Sequence, residues 1–309
     1  MELRYDIDTY LTSVKMSAKI RVLVEGFDDQ SHLLNILPKL CTDKKIKIDT
    51  AAEIKGDCPI TAKNNRAKVE KLHQLSNGNN QYKKIFFLCD RETRGFELSE
   101  RLQNLISGHH VDGSLSWTLG HSIENYFLSN ELICEGFRYL TSSAYKQQAI
   151  SLFSDLYESS TRLIACLTLA AQNLNSASLP CGLIQWKTLK TPTTGPVSID
   201  HKKINNPRAK ALIQEIEKIS PAITLSKIDD CRLICRGHTA IILYQRIFAA
   251  CLAQCAIIDL DNQPERDANI FNALDERQIT SALSEAWIRK IESGDTCYPE
   301  PLINSILSA

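Results

Sequence analysis

Two apolar runs in this chain stop abruptly at acid. Lys19-Ile20-Arg21-Val22-Leu23-Val24 leads directly into Glu25-Gly26-Phe27-Asp28-Asp29, and Lys84-Ile85-Phe86-Phe87-Leu88-Cys89 leads into Asp90-Arg91-Glu92. A buried strand that ends in carboxylates delivers them to the carboxyl edge of a parallel sheet, where α/β folds place their ligands. Clustered carboxylates repel one another and need a counter-charge. A hard divalent cation, held by oxygen ligands with several waters retained, is the usual one. The pattern therefore predicts a metal-dependent phosphoryl-transfer site.

Around these runs, strands alternate with helical spacing. A helix over Glu2–Met16 leads into the strand Ile20–Val24, and Gln30–Cys41 carries Leu33, Leu34, Ile36, Leu37 and Leu40 at helical spacing. Lys45–Ile54 reads as a strand and Thr61–Leu75 as a helix, with Val69 and Leu72 inward and Lys63, Arg66, Lys68 and Lys71 largely outward. After the strand Ile85–Leu88 the spacing predicts a helix over Phe96–Ile106 and a strand over Leu115–Leu119, and the His121 segment opens a further helix. This alternation implies crossovers and a mainly parallel sheet flanked by helices over residues 1–130. Residues 131–309 read as mostly helical. Tyr145–Asn175 has a break at Ser159-Ser160, and 176–207 is a long loop or short hairpin region rich in Pro, Gly, Ser, Thr and Lys. Ala209–Ile219, Thr239–Ile258 and Glu276–Ile291 complete the helices.

With 36 basic and 36 acidic residues, a generally basic nucleic-acid coat is excluded, so any such contact must come from local patches. Eleven cysteines show no pairing pattern. Together with the lack of a secretory signal or long apolar span, this implies reduced thiols in a cytoplasm and no membrane partner. Cys231/Cys235 and Cys251/Cys255 are each four apart in apolar runs, a spacing that reads as buried thiols, not a zinc knuckle.

A strand ending in Glu-Gly with Asp close behind, followed by a strand ending in an acid-x-acid pair, resembles the TOPRIM domain of topoisomerases, primases and small nucleases. A third block, Gly120-His121-Ser122-Ile123-Glu124-Asn125-Tyr126-Phe127-Leu128, is similar to stand-alone TOPRIM proteins encoded beside ABC-type ATPases in bacterial anti-phage defence, the PARIS type of effector. Cys235-Arg236-Gly237-His238 looks like a later block of the same family. The motif likeness covers about the first 130 residues. It implies a Rossmann-like α/β fold and Mg²⁺ (or Mn²⁺) as cofactor. It also implies a toxic endoribonuclease that cuts host tRNA, is held inactive by an ABC-type ATPase sensor subunit, and works as a homodimer. TOPRIM proteins usually carry Asp-x-Asp where this chain has Asp90-Arg91-Glu92, which puts the second ligand in doubt.

Glu25 is read as a metal ligand or as the general acid/base at a phosphodiester, Asp90 and Glu92 as metal ligands, and Asp29 as a further ligand or a helix cap. The resemblance adds Glu124 as an acid facing the metal. His121 orients a phosphate or carboxylate, or is structural. Lys63 and Arg66, with Lys68 and Lys71, and then Trp186, Lys187, Lys190, Lys202, Lys203, Arg208 and Lys210, are candidate backbone contacts, with Trp186 as a base-stacking ring. Solvated helix faces explain the lysines equally well. Arg236 is a phosphate contact or a fold-stabilising pair. Two other classes share these residues: a DNA-cutting TOPRIM nuclease of the OLD type, and a non-catalytic binding module.

Overall fold

The computed structural model describes residues 5–204 and 206–309. The start of the helix expected from Glu2 lies outside the described residues; within them a two-residue strand precedes a helix at Ile7–Lys15. The chain forms two compact units. The first comprises Met1–Glu92, Ile106–Ile123 and Lys290–Ala309, and the second Thr93–Leu105 and Glu124–Arg289. A division near residue 130 was expected. Instead the chain leaves the first unit at Glu92, re-enters it at Ile106 and returns to it at Lys290.

The first unit is built on a five-stranded sheet: β1 (Ile20–Val24), β2 (Ile46–Thr50), β3 (Ile85–Cys89), β4 (Val111–Asp112) and β5 (Leu115–Trp117), in the order β2-β1-β3-β5-β4. The first four strands of that order are mutually parallel, and the edge strand β4 runs antiparallel to β5. Strand order reverses at β1. The chain crosses to β2 on one side through the helix Phe27–Leu40, then to β3 on the other through Asn65–Ser76. β1 and β3 are buried along their whole length, which is why β3 reads as an unbroken apolar run and β1 as one interrupted only at Arg21. Alternate residues serve opposite faces. Leu23, Ile85, Phe87, Cys89, Leu115 and Trp117 join a core with Tyr10, Leu11, Val69 and Leu72 from the helices Ile7–Lys15 and Asn65–Ser76. Helix Phe27–Leu40 packs on β1 and β2, and the C-terminal helix Glu300–Ser308 on β3 and β5.

Arg21 is the exception inside β1. It is buried, donates from Nε to Asp49 Oδ2 at 2.6 Å, and lies over the Tyr10 ring, whose hydroxyl also donates to Asp49. A charge in that apolar face is tolerated only because its partner is there.

The second unit is mostly helical. Helices Lys146–Asn173 and Gly237–Ile258 pack on each other and on Pro207–Thr224 and Arg266–Asn272. Phe137, Phe153, Phe248 and Phe271 interlock edge-on or tilted at ring separations of 4.7–5.9 Å. Contrary to the expected lack of a long apolar span, Gly237–Ile258 is long and apolar enough to cross a membrane by length and composition, and 72% of its most apolar window is buried inside the protein, as in a core helix. All four cysteines of the two four-residue spacings are buried and unbridged.

Three local expectations change. Phe96–Ile106 is not a helix but a hairpin, with Phe96–Leu98 antiparallel to Leu102–Asn104. The Leu102 amide donates to Ser226 Oγ at 2.8 Å, a tertiary bond that no local spacing reports. The helix Lys146–Asn173 runs unbroken through Ser159-Ser160, and both serine hydroxyls donate to the Leu156 carbonyl, at 2.9 and 2.8 Å. Thr61–Leu75 is split at Asn64, whose side chain caps the second piece by accepting from the Ala67 amide.

Replacing Asp49 by Ala leaves the Arg21 guanidinium buried without its partner. The expected cost is about 3 kcal/mol in urea unfolding, and a loss below about 1 kcal/mol would show that the pair is not needed.

Candidate active site at the carboxyl edge of the sheet

Val24 pairs with Leu88 across β1 and β3, so Glu25 leaves β1 beside Cys89, one residue before Asp90, where the strand order reverses. The Asp90 amide donates to Glu25 Oε1 at 3.0 Å, and Thr50 Oγ1 donates to the Glu25 carbonyl at 3.3 Å. Glu25 is partly buried. Removal from water pushes its carboxyl up to about 7, opposed by the Asp90 amide and the positive charge of Arg66 and reinforced by the negative charge of Glu92.

The strand ends at Cys89, so strand alternation does not set the directions of Asp90 and Glu92. A different device places Glu92. Arg91 is fully buried; its amide donates to Thr118 Oγ1 and its Nη1 to the Leu119 carbonyl, both at 2.9 Å. The Glu92 amide donates to the His121 carbonyl at 2.7 Å, and Glu92 itself adopts φ 53°, a left-handed conformation uncommon outside glycine. The segments after β3 and β5 thus brace each other, and the Glu92 carboxylate is turned outward onto Arg66 Nη1 at 2.5 Å.

Arg66 opens the helix Asn65–Ser76. Besides Glu92 it holds Glu70 through Nε at 3.2 Å, and its side chain is only 14% exposed. Expected as a nucleic-acid contact, in the free chain it pairs with the acids of this edge. The Arg66/Glu70 pair at i,i+4 was the available signal. Asp29 is committed in part to its helix: Oδ2 accepts from the Gly26 amide at 3.0 Å. A Cβ on Gly26 would meet nothing closer than that same oxygen at 3.6 Å, so glycine is not demanded there by the fold.

Glu124 belongs to the second unit. It is buried in the short helix Ile123–Phe127, 3.7 Å from His238 Nε2, while His238 Nδ1 lies 2.5 Å from Glu276 Oε1. Neighbouring Asn125 donates to the carbonyls of Arg232 and Cys235. Glu124 and Asn125 and the Cys235–His238 block, noticed separately in the sequence, therefore meet in this unit.

The basic patches fare differently. Lys63 is exposed. Lys68, expected outward, is buried with Nζ on the Ala51 carbonyl, and burial lowers its ammonium below the usual range. Lys71 pairs with Asp57. Trp186 is 8% exposed with the Lys187 ammonium over its ring, so its face is not offered to a base, and Lys187 pairs with Glu265. Arg236 donates to the Ala177 carbonyl, which favours the fold-stabilising reading.

Among the described residues no group of three or more His, Cys, Asp or Glu side chains is arranged to hold a metal. Mg²⁺ does not require one, because it is commonly held by one or two carboxylates, waters and substrate phosphate. Glu25 and Asp90 supply such oxygen donors, and the raised Glu25 carboxyl is a group that a nearby cation would stabilise in its charged form.

A carboxyl raised from 4.5 to about 7 favours the folded state fully below pH 4.5, and that contribution is lost as pH rises through 7. Glu25→Gln removes this titration. In chelator, the variant should be more stable than the parent by about 1–3 kcal/mol near pH 8, and the difference should shrink toward pH 5. A difference that does not change with pH would show that Glu25 is not desolvated.

A scan against protein-family models and a search of the curated proteins both find no match to this chain. Its functional reading therefore rests on the chemistry of the site.

Proposed function

We propose that this chain is a metal-dependent phosphodiesterase of the TOPRIM type, an endoribonuclease that acts on tRNA as a toxic effector of bacterial anti-phage defence. The observation that carries the enzymatic reading is the meeting of Glu25 and Asp90 at adjacent parallel strand ends, with the Glu25 carboxyl raised to about 7. A proton shuttle works best when its pKa is close to the working pH.

Glu25 would take the proton from an attacking water and return one to the leaving oxygen. Asp90 would hold Mg²⁺ at this acidic edge, with Glu92 beside it, and Glu25 would stay off the ion to carry the proton. The ion, when bound, polarises the phosphoryl oxygens and offsets charge on the leaving oxygen. The buried Arg91 keeps Asp90 and Glu92 in place by tying their segment to the Leu119 carbonyl. The choice of tRNA, the inhibitory ABC-type ATPase partner and the active homodimer rest on the likeness of the Glu25, Asp90 and His121–Asn125 blocks to PARIS-type effectors.

Purified protein and its Glu25→Ala variant, incubated with total bacterial tRNA and, in parallel, duplex DNA, test the reading. Discrete tRNA fragments that require both Mg²⁺ and Glu25 are expected, with a loss of at least about 100-fold in the variant. Cleavage of duplex DNA alone would move the assignment to an OLD-type nuclease. Fragments that persist in Glu25→Ala would remove Glu25 from the chemistry.

A further inference from the structure

The acidic edge already contains a cation. Arg66 reaches Glu92 at 2.5 Å and Glu70 at 3.2 Å, and its charge is felt at Glu25. Both ends of the Arg66–Glu92 bridge are anchored. On one side, the Asn64 cap and Lys68, bound to the Ala51 carbonyl, fix the start of the helix that carries Arg66. On the other, the Arg91 and His121 contacts fix the segment that carries Glu92. Yet Glu92 is 56% exposed, so an incoming ligand can reach the bridge from solvent.

We propose that Arg66 is a positioning residue that acts as the internal counter-charge of the free protein: its guanidinium occupies Glu92 and competes with a divalent cation until a phosphodiester draws it away. Resting on the metal-dependent reading above, this makes the substrate itself the agent that completes the metal site. A guanidinium suits the exchange, because its planar fork fits carboxylate and phosphate oxygens equally well. Cation and phosphodiester then bind with positive coupling, and the coupling runs both ways.

The test is calorimetric titration of MgCl₂ into chelator-treated parent, Arg66→Gln and Glu70→Gln proteins, each first shown to fold by thermal melting. Arg66→Gln should bind Mg²⁺ roughly five- to tenfold more tightly than the parent, as expected for loss of one competing charge. Glu70→Gln should do the reverse, weakening Mg²⁺ about twofold or more, because Arg66 then has Glu92 as its remaining described partner. A short oligodeoxynucleotide in excess should tighten Mg²⁺ binding to the parent and leave Arg66→Gln unchanged. Equal or weaker Mg²⁺ affinity in Arg66→Gln, or unchanged affinity in Glu70→Gln should the first variant not fold, overturns the proposal and leaves the metal site standing. Binding heat in none of the three proteins, with or without oligonucleotide, overturns both the proposal and the metal-dependent reading.

Discussion

The first unit depends on parallel pairing of two fully buried strands, β1 and β3. Neither strand has a solvated face, so each must end where polar residues begin, and those residues are acids on both. Pairing in register then forces two carboxylate-bearing termini together. The cost falls on Glu25, which accepts the Asp90 amide while partly removed from water. Such a carboxyl is poised between its protonated and charged forms near neutral pH.

The rest of the edge manages the remaining charge. Arg91 is consumed internally, and its burial converts the short Asp90–Glu92 segment into a rigid brace against the loop after β5. Arg66 answers Glu92 and Glu70 from a helix that belongs to the β2-to-β3 crossover. Glu25 and Glu92 follow the two central strands, and Arg66 and Glu70 come from the crossover helix between β2 and β3, so the edge is assembled where the strand order reverses. In the second unit, a separate device holds Glu124 against His238, itself on Glu276, with Asn125 tying the same turn to the Arg232 and Cys235 carbonyls.

Strand β1, strand β3 and the acids behind them were legible because burial on both faces leaves a nearly continuous apolar run, broken only at Arg21, that the acids end visibly. Lys68 and Trp186 were misjudged for the opposite reason. A long amphipathic side chain looks the same in the sequence whether its polar end meets water or a buried carbonyl. The Phe96–Asn104 hairpin escaped notice because its pairing is supported by Ser226, more than a hundred residues away in the chain. Arg66 was recognised as one of a basic cluster, but its partner Glu92 is set by a left-handed backbone that spacing does not encode.

The sequence by itself determined the α/β character of the first unit, the strands that carry Glu25 and Asp90, the helical nature of most of the second unit and the presence of an acidic edge. These follow from local periodicity and from where apolar runs stop. Tertiary structure alone decided which cation serves that edge, that Glu92 faces Arg66, that the C-terminal helix joins the sheet, and that Glu124 is held with His238. Those outcomes depend on contacts between segments far apart in sequence. Their free energies come from desolvation and charge pairing, quantities that exist only once the chain has brought the groups together.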